Sequence, residues 1–146
     1  MKKIKILLVE DNEGDVVLTL EALEDAKIVN EVIVKKDGDE ALKYLFHLSD
    51  TNPKLLPDLV LLDINLPKVD GKEVLLQIKS HLTLKIIPVV ILTTSSSEKD
   101  VMEAYTNYAN CYITKPVDLS KFFQTIKAIE SFWVSIVKLP ITNTHD

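Results

Sequence analysis

The sequence predicts an α/β domain built on a parallel sheet with helices on both faces. Three observations carry that expectation. Five short apolar runs alternate with segments whose apolar residues recur at helical spacing, the order of a strand–helix repeat. Three of the runs, Ile6–Val9, Leu59–Leu62 and Val89–Leu92, are apolar at every position, as strands buried on both faces are. No internal repeat divides the 146 residues, a length that suits one core.

The first strand spans Ile4 to Val9 and runs directly into Glu10-Asp11-Asn12. Val16, Val17, Leu20 and Leu23 then predict an amphipathic helix over residues 13–27. Glu31 to Lys36, with Val32-Ile33-Val34 at its centre, is a shorter strand near an edge. Asp37-Gly38 turns the chain, and Ala41, Leu42, Leu45 and Phe46 mark a second helix. Ser49 to Pro57 holds Asp50, Asn52, Pro53 and Pro57 and reads as a loop. Leu59-Val60-Leu61-Leu62 is the third strand, and Asp63 stands at its C-terminal end. Asp70-Gly71 opens a third helix through Val74, Leu75 and Ile78. Pro88 to Leu92 is the fourth strand and ends in Thr93-Thr94-Ser95-Ser96-Ser97. Val101, Met102, Tyr105 and Tyr108 mark a fourth helix, and Cys111-Tyr112-Ile113 a short fifth strand closed by Thr114-Lys115-Pro116. Leu119 to Val137 is a long final helix. Right-handed crossovers leave few topologies, and the expected one is the flavodoxin-like (βα)5 fold, a doubly wound five-stranded parallel sheet of order 2-1-3-4-5. One domain is expected over residues 1–140, including an extended C-terminal helix, then a short tail at 141–146 and no output domain.

Bulk properties narrow the function classes. A net charge of −5 is a poor match for a polyanion, so no nucleic-acid partner is expected. A single cysteine, Cys111, excludes an internal disulfide framework and fits a reducing compartment. The apolar run behind Met1-Lys2-Lys3 is broken by Lys5 and ends at Glu10-Asp11, too short for a signal-peptide core. No stretch approaches the roughly 18 apolar residues of a membrane span. A cytoplasmic protein with no membrane contact is the expectation.

In open parallel sheets, ligands bind in the crevice outside the carboxyl ends of the strands. Four strand ends of this chain bring Glu10 and Asp11, Asp63, Thr93 and Lys115 to one edge. Three carboxylates crowded there repel one another, and a hard divalent cation removes the conflict. Mg²⁺ suits the set, because it prefers oxygen ligands and takes one or two carboxylates together with phosphate oxygens. Asn65, two residues past Asp63, can offer its backbone carbonyl as a further ligand. Thr93 can donate a hydrogen bond, and Lys115 is a point charge suited to phosphate. Together they describe a site for phosphoryl transfer onto a carboxylate oxygen. Singly, Glu10-Asp11-Asn12 reads as a helix cap, Thr93 to Ser97 as a polar loop and Lys115-Pro116 as a turn. Their joint placement, each at the end of its own strand, favours the site.

The same residues resemble a receiver domain of the two-component response-regulator family. The matching positions are Glu10-Asp11, Asp63 with Asn65 and Pro67, Asp70-Gly71, Thr93, and Tyr112 with Lys115-Pro116, and the likeness runs from residue 3 to about 130. The resemblance implies that Asp63 accepts a phosphoryl group from a sensor histidine kinase. It implies that Glu10, Asp11, Asp63 and the Asn65 carbonyl organise Mg²⁺, and that Thr93 and Lys115 contact the phosphoryl group. Thr93 and Tyr112 would form the switch, and Pro116 would follow a cis peptide bond. The implied protein signals through partner proteins or relays the phosphoryl group onward. It catalyses nothing beyond its own phosphotransfer and autodephosphorylation. Some positions depart from the family pattern. Glu10 stands where Asp is commoner, Thr94 where a small residue, often Ala, is usual, and Tyr108 where Gly often precedes strand five. The Ser49–Pro57 loop is longer than usual.

Other functions fit less well. A phosphatase with an aspartate nucleophile wants a second acid two residues on, where this chain has Asn65. A nucleotide or flavin binder wants a glycine-rich loop, but Gly14, Gly38 and Gly71 are far apart. A degenerate receiver that only binds partners would not need the complete acidic set. In the last helix, Leu119, Phe122, Phe123, Ile126, Ile129, Trp133, Ile136 and Val137 line one face. Phe132 and Val134 widen it to about 200°, where roughly 100° suffices for docking on a core. The excess is read as a homodimer surface centred on Phe132 and Trp133. With Leu139-Pro140 behind it, this tail resembles single-domain regulators that partner phytochrome-type kinases, and a kinase of that type is the implied partner. His47, His81 and His145 are scattered and read as surface residues, and Cys111 as a buried apolar one.

Overall fold

The computed structural model describes residues 4–25, 30–93, 101–102, 105, 108–109, 111–114 and 124. The chain divides into two compact units, Met1–Pro116 and Val117–Asp146, and every described strand lies in the first. Of the second unit, the described residue is Gln124, which is helical. The elements follow the alternation expected. They are β1 (Ile4–Val9), α1 (Glu13–Asp25), β2 (Asn30–Lys35), α2 (Gly38–Thr51), β3 (Leu59–Leu62), α3 (Gly71–Ser80), β4 (Val89–Thr93) and β5 (Cys111–Thr114). Single 3₁₀ turns, Pro53–Leu55 and Leu84–Ile86, precede β3 and β4. Val101, Met102 and Tyr105, from the expected fourth helix, are helical.

The five strands form one parallel sheet of order β2-β1-β3-β4-β5, the flavodoxin-like order. Side chains alternate across a strand, so a strand apolar at every position must be covered on both sides. One core cluster takes Leu7 and Val9 of β1, Val60 and Leu62 of β3, and Val89 and Ile91 of β4. It packs them against Ala41, Leu42 and Leu45 of α2 and Val74, Leu75 and Ile78 of α3. The alternate residues Ile6, Leu8, Leu59, Leu61, Val90 and Leu92 are equally buried outside that cluster, as are Val16 and Leu23 of α1. At roughly 1.5–3 kcal/mol for each fully buried aliphatic side chain, these two layers dominate the stability of the sheet.

The helix starts are chemically marked. Asp37 accepts the Glu40 amide at the head of α2, and Asp70 accepts the Lys72 amide at the head of α3. The predicted loop from Ser49 to Pro57 is corrected: α2 continues through Thr51, and the Asn52 amide closes on the Leu48 carbonyl. The Thr51 hydroxyl donates to the His47 carbonyl, 2.7 Å away, which lets a poor helix former end the helix rather than break it.

Candidate functional site

Parallel pairing sets the site. Val9 lies opposite Leu62 in the β1–β3 register, so the next residues, Glu10 and Asp63, emerge side by side at the sheet edge. Backbone bonds fix both. The Glu10 amide donates to the Lys35 carbonyl of β2, and the Asp63 amide to the Val9 carbonyl of β1, each at 3.0 Å. Carboxylate oxygens of Glu10, Asp11 and Asp63 all fall within 4.8 Å of one another. Glu10 and Asp63 are buried, whereas Asp11 is exposed.

Of Glu10-Asp11-Asn12, the helix-cap reading holds for Asn12. Asn12 caps α1: its side-chain oxygen accepts the Asp15 amide at 3.0 Å and its carbonyl accepts the Val16 amide at 2.9 Å. Glu10 accepts the Asn12 amide at 3.2 Å, which holds its carboxylate against the turn into α1. A set of three carboxylates, two buried and one open to water, fits a hard cation that keeps water ligands.

Asp63 begins the loop to α3, and that loop is tightly held. The Asn65 amide donates to Asp63 Oδ1 at 3.0 Å, so the carboxylate is oriented by the residue whose carbonyl was expected to be a ligand. The Leu66 and Gly71 amides both donate to the Ile64 carbonyl. Lys68 is left-handed, with φ of 66°, and its ammonium reaches the buried Asp37 at 3.6 Å. The α2 N-terminus abuts the same loop: a Cβ on Gly38 would lie 2.0 Å from the Val69 carbonyl oxygen.

Of the other expected site residues, Thr93 is the last residue of β4 and pairs with Thr114 of β5. Tyr112 lies on β5 opposite Ile91 and packs, half-buried, against the core cluster. Lys115, Pro116, Phe132 and Trp133 lie outside the described residues. Sequence reading passed over Asp37, Gly38 and Lys68 as supports of the Asp63 loop. The Asp-Gly pair at 37–38 signalled only a turn, and nothing in a sequence shows which loop a helix start will meet.

His81 is also corrected. It is half-buried rather than a surface residue: Nδ1 accepts the Thr83 and Leu84 amides at 3.1 and 3.2 Å, and its ring stacks on Phe46 at 5.7 Å. No helix among the described residues is long and apolar enough to cross a membrane.

A sheet of this order, with three acids at the ends of adjacent strands, suits a phosphoacceptor signalling domain. Residues 6–127 match the family model for the response regulator receiver domain, and the chain belongs to that family. It is 46% identical over 135 residues to the response regulator Rcp1 of Synechocystis, covering 92% of both chains. It is 42% identical to the probable methanogenesis regulatory protein FilR2 of Methanothrix harundinacea, covering 92% of this chain and 86% of that one. Among solved structures, the phosphorylated cyanobacterial phytochrome response regulator RcpA superposes with a TM-score of 0.76 at 49% identity, covering 92% of this chain and 96% of that chain. The Mn²⁺-bound form of Rcp1 superposes with a TM-score of 0.75 at 44% identity, covering 91% and 96%. The chain is thus a receiver response regulator with a phosphoacceptor signalling role, homologous to a phytochrome-associated regulator.

Proposed function

We propose that Asp63 is the phosphoacceptor, in a Mg²⁺ site made by Glu10, Asp11, Asp63 and the carbonyl of Asn65. The observation that carries this reading is the convergence of three carboxylates within 4.8 Å at the ends of β1 and β3. Bound Mg²⁺ would neutralise charge on the transferring phosphoryl oxygens. The chain's own residues do the rest. Asp63 offers an oxygen lone pair to phosphorus, the P–N bond to the donor histidine breaks, and the imidazole leaves with its electron pair. The Asn65 amide holds the other carboxylate oxygen in place during attack. Thr93 and Lys115 contact the new phosphoryl oxygens, and Thr93 with Tyr112 transmits the change. Pro116 completes the set as the residue expected after a cis peptide bond.

A phytochrome-type histidine kinase is the proposed donor. The relatives support this, since RcpA is a cyanobacterial phytochrome response regulator and RtBRR, at 45% identity, a bacteriophytochrome response regulator. The Mn²⁺-bound form of Rcp1 supports a divalent ion in the acidic cluster. Dimerisation through Phe132 and Trp133, action in the cytoplasm, and signalling or relay without other catalysis complete the reading.

The test is direct. Purified protein with Mg²⁺ and a small phosphodonor gains one acid-stable, base-labile phosphoryl group, as an acyl phosphate would. Asp63→Asn abolishes it. An Asp63→Asn variant that labels as well as wild type would remove Asp63 from the mechanism.

A further inference from the structure

We propose that Asp37 and Lys68 are positioning residues for the phosphoacceptor site: their ion pair fixes the β3–α3 loop so that the Asn65 amide holds the Asp63 carboxylate in its metal-binding orientation. This rests on the site reading above and adds a control element outside the acidic cluster.

The chain of contacts is continuous. Asp37 is buried at the head of α2, where one oxygen accepts the Glu40 amide at 2.8 Å. Its other oxygen faces the Lys68 ammonium at 3.6 Å. Lys68 sits between the site and α3 in a left-handed conformation that a residue other than glycine rarely takes unsupported. One residue on, Val69 meets the α2 start so closely that only a glycine fits at position 38. In the other direction the loop reaches Asn65, whose amide donates to Asp63 Oδ1 at 3.0 Å. The Glu40 amide, and then the Lys68 charge, hold the Asp37 carboxyl below the usual carboxylate range, so Asp37 faces the lysine as an anion at neutral pH. A helix buried against the sheet is rigid, whereas the segment 64–70 has no regular structure. The ion pair therefore ties the loop that orients the acceptor to the fixed body of the domain.

Two mechanisms predict different signs, which makes the inference testable. If the pair acts only through its electric field, removing the anion weakens cation binding and removing the lysine strengthens it. If it acts by positioning, losing either partner weakens binding. Asp37→Asn keeps a side-chain oxygen for the cap but removes the charge. Lys68→Gln removes the other charge, and Lys68→Arg restores it.

The experiment is Mn²⁺ titration by calorimetry at about 0.15 M salt, where long-range fields between exposed charges are screened. Asp37→Asn and Lys68→Gln should each weaken Mn²⁺ about threefold, the reach of a partly exposed ion pair. The double variant should be no worse than either single one, and Lys68→Arg should return to wild type. Lys68→Gly relaxes the left-handed backbone without supplying charge, so it should stay weak. Opposite shifts for Asp37→Asn and Lys68→Gln, additive losses, or Mn²⁺ affinity unchanged in all variants would overturn the positioning role. Failure of wild type itself to bind Mn²⁺ would instead overturn the site reading on which it rests.

Discussion

Gly71 lies against the backbone of Asp63 so closely that a Cβ built on it would stand 2.2 Å from the Asp63 carbonyl oxygen and 2.6 Å from the Ile64 Cα. The Gly71 amide donates to the Ile64 carbonyl at 2.9 Å, so the head of α3 is fastened to the residue that follows Asp63. Side chains can move aside, but here the obstacle is main chain at the end of a buried strand. Gly71→Ala should cost about 3 kcal/mol of unfolding free energy, the upper range for an overpacked core. It should also lower acyl-phosphate formation, since relief requires moving Asp63. Gly14→Ala is the control: its Cβ meets only the Asn12 side-chain oxygen, at 3.3 Å, and it should stay within about 1 kcal/mol of wild type. Urea denaturation of both variants decides this, and equal stabilities would contradict it.

The acidic cluster should destabilise the metal-free protein. Asp11 is exposed and meets two buried carboxylates within 4.8 Å, with repulsion reduced by solvent. Asp11→Ala should therefore raise metal-free stability by about 1 kcal/mol. In a chain of this size that is a rise of about 2–4 °C in melting temperature. Excess Mg²⁺ should reverse the order, because wild type gains binding energy that the variant has lost. Scanning calorimetry in chelator and then in Mg²⁺ measures both halves. A variant that melts below wild type in chelator counts against a shared acidic pocket.

Asp37 gives the fold an acid-sensitive joint. Its carboxyl is held below the ordinary 3.8, chiefly by the Glu40 amide and further by Lys68. A depressed value means that the unfolded chain takes up the proton first as pH falls. The stabilisation is complete above the ordinary value and is lost as pH drops below it through the folded-state value. Asparagine at this position caps α2 at every pH but pairs with nothing. The stability gap between wild type and Asp37→Asn should hold steady from about pH 7 to pH 5 and narrow below about pH 4. Denaturant titrations across that range test the sign, and a gap that widens in acid would contradict it.

What the sequence reveals about this fold follows from which forces leave a local trace. The buried strands were legible because burial on both faces writes an apolar residue at every position of Leu59–Leu62 and Val89–Leu92. The acids were legible because Glu10 and Asp63 follow directly on such strands and Asp11 comes next. The end of α2 was misjudged because Ser49, Asp50 and Thr51 are weak helix formers, yet Leu45 and the turns before it are anchored in the core. His81 was missed because its two partners, the Thr83 and Leu84 amides, become acceptor-seeking only once the chain has turned. The tight fits of Gly38 and Gly71 depend on backbone from distant parts of the chain, which no local pattern records.

The departure at Tyr108, by contrast, was visible in advance and has a physical consequence. Its backbone is left-handed, with φ of 68°, and its amide closes a turn on the Tyr105 carbonyl at 3.0 Å. The turn leads into β5, which carries Tyr112. In that conformation a Cβ crowds the backbone, a strain of roughly 1–2 kcal/mol that glycine escapes. Glycine also gains freedom in the unfolded chain, which takes back about 0.5–1 kcal/mol. The Tyr108 side chain is 75% exposed, so little packing is lost with it. Tyr108→Gly should therefore be at least as stable as wild type. Tyr108→Ala keeps the strain and loses the same side chain, so glycine should exceed alanine by about 1 kcal/mol. Thermal melts of the two variants give this difference free of packing effects. Alanine equal to or better than glycine would mean that the left-handed turn is not held in solution.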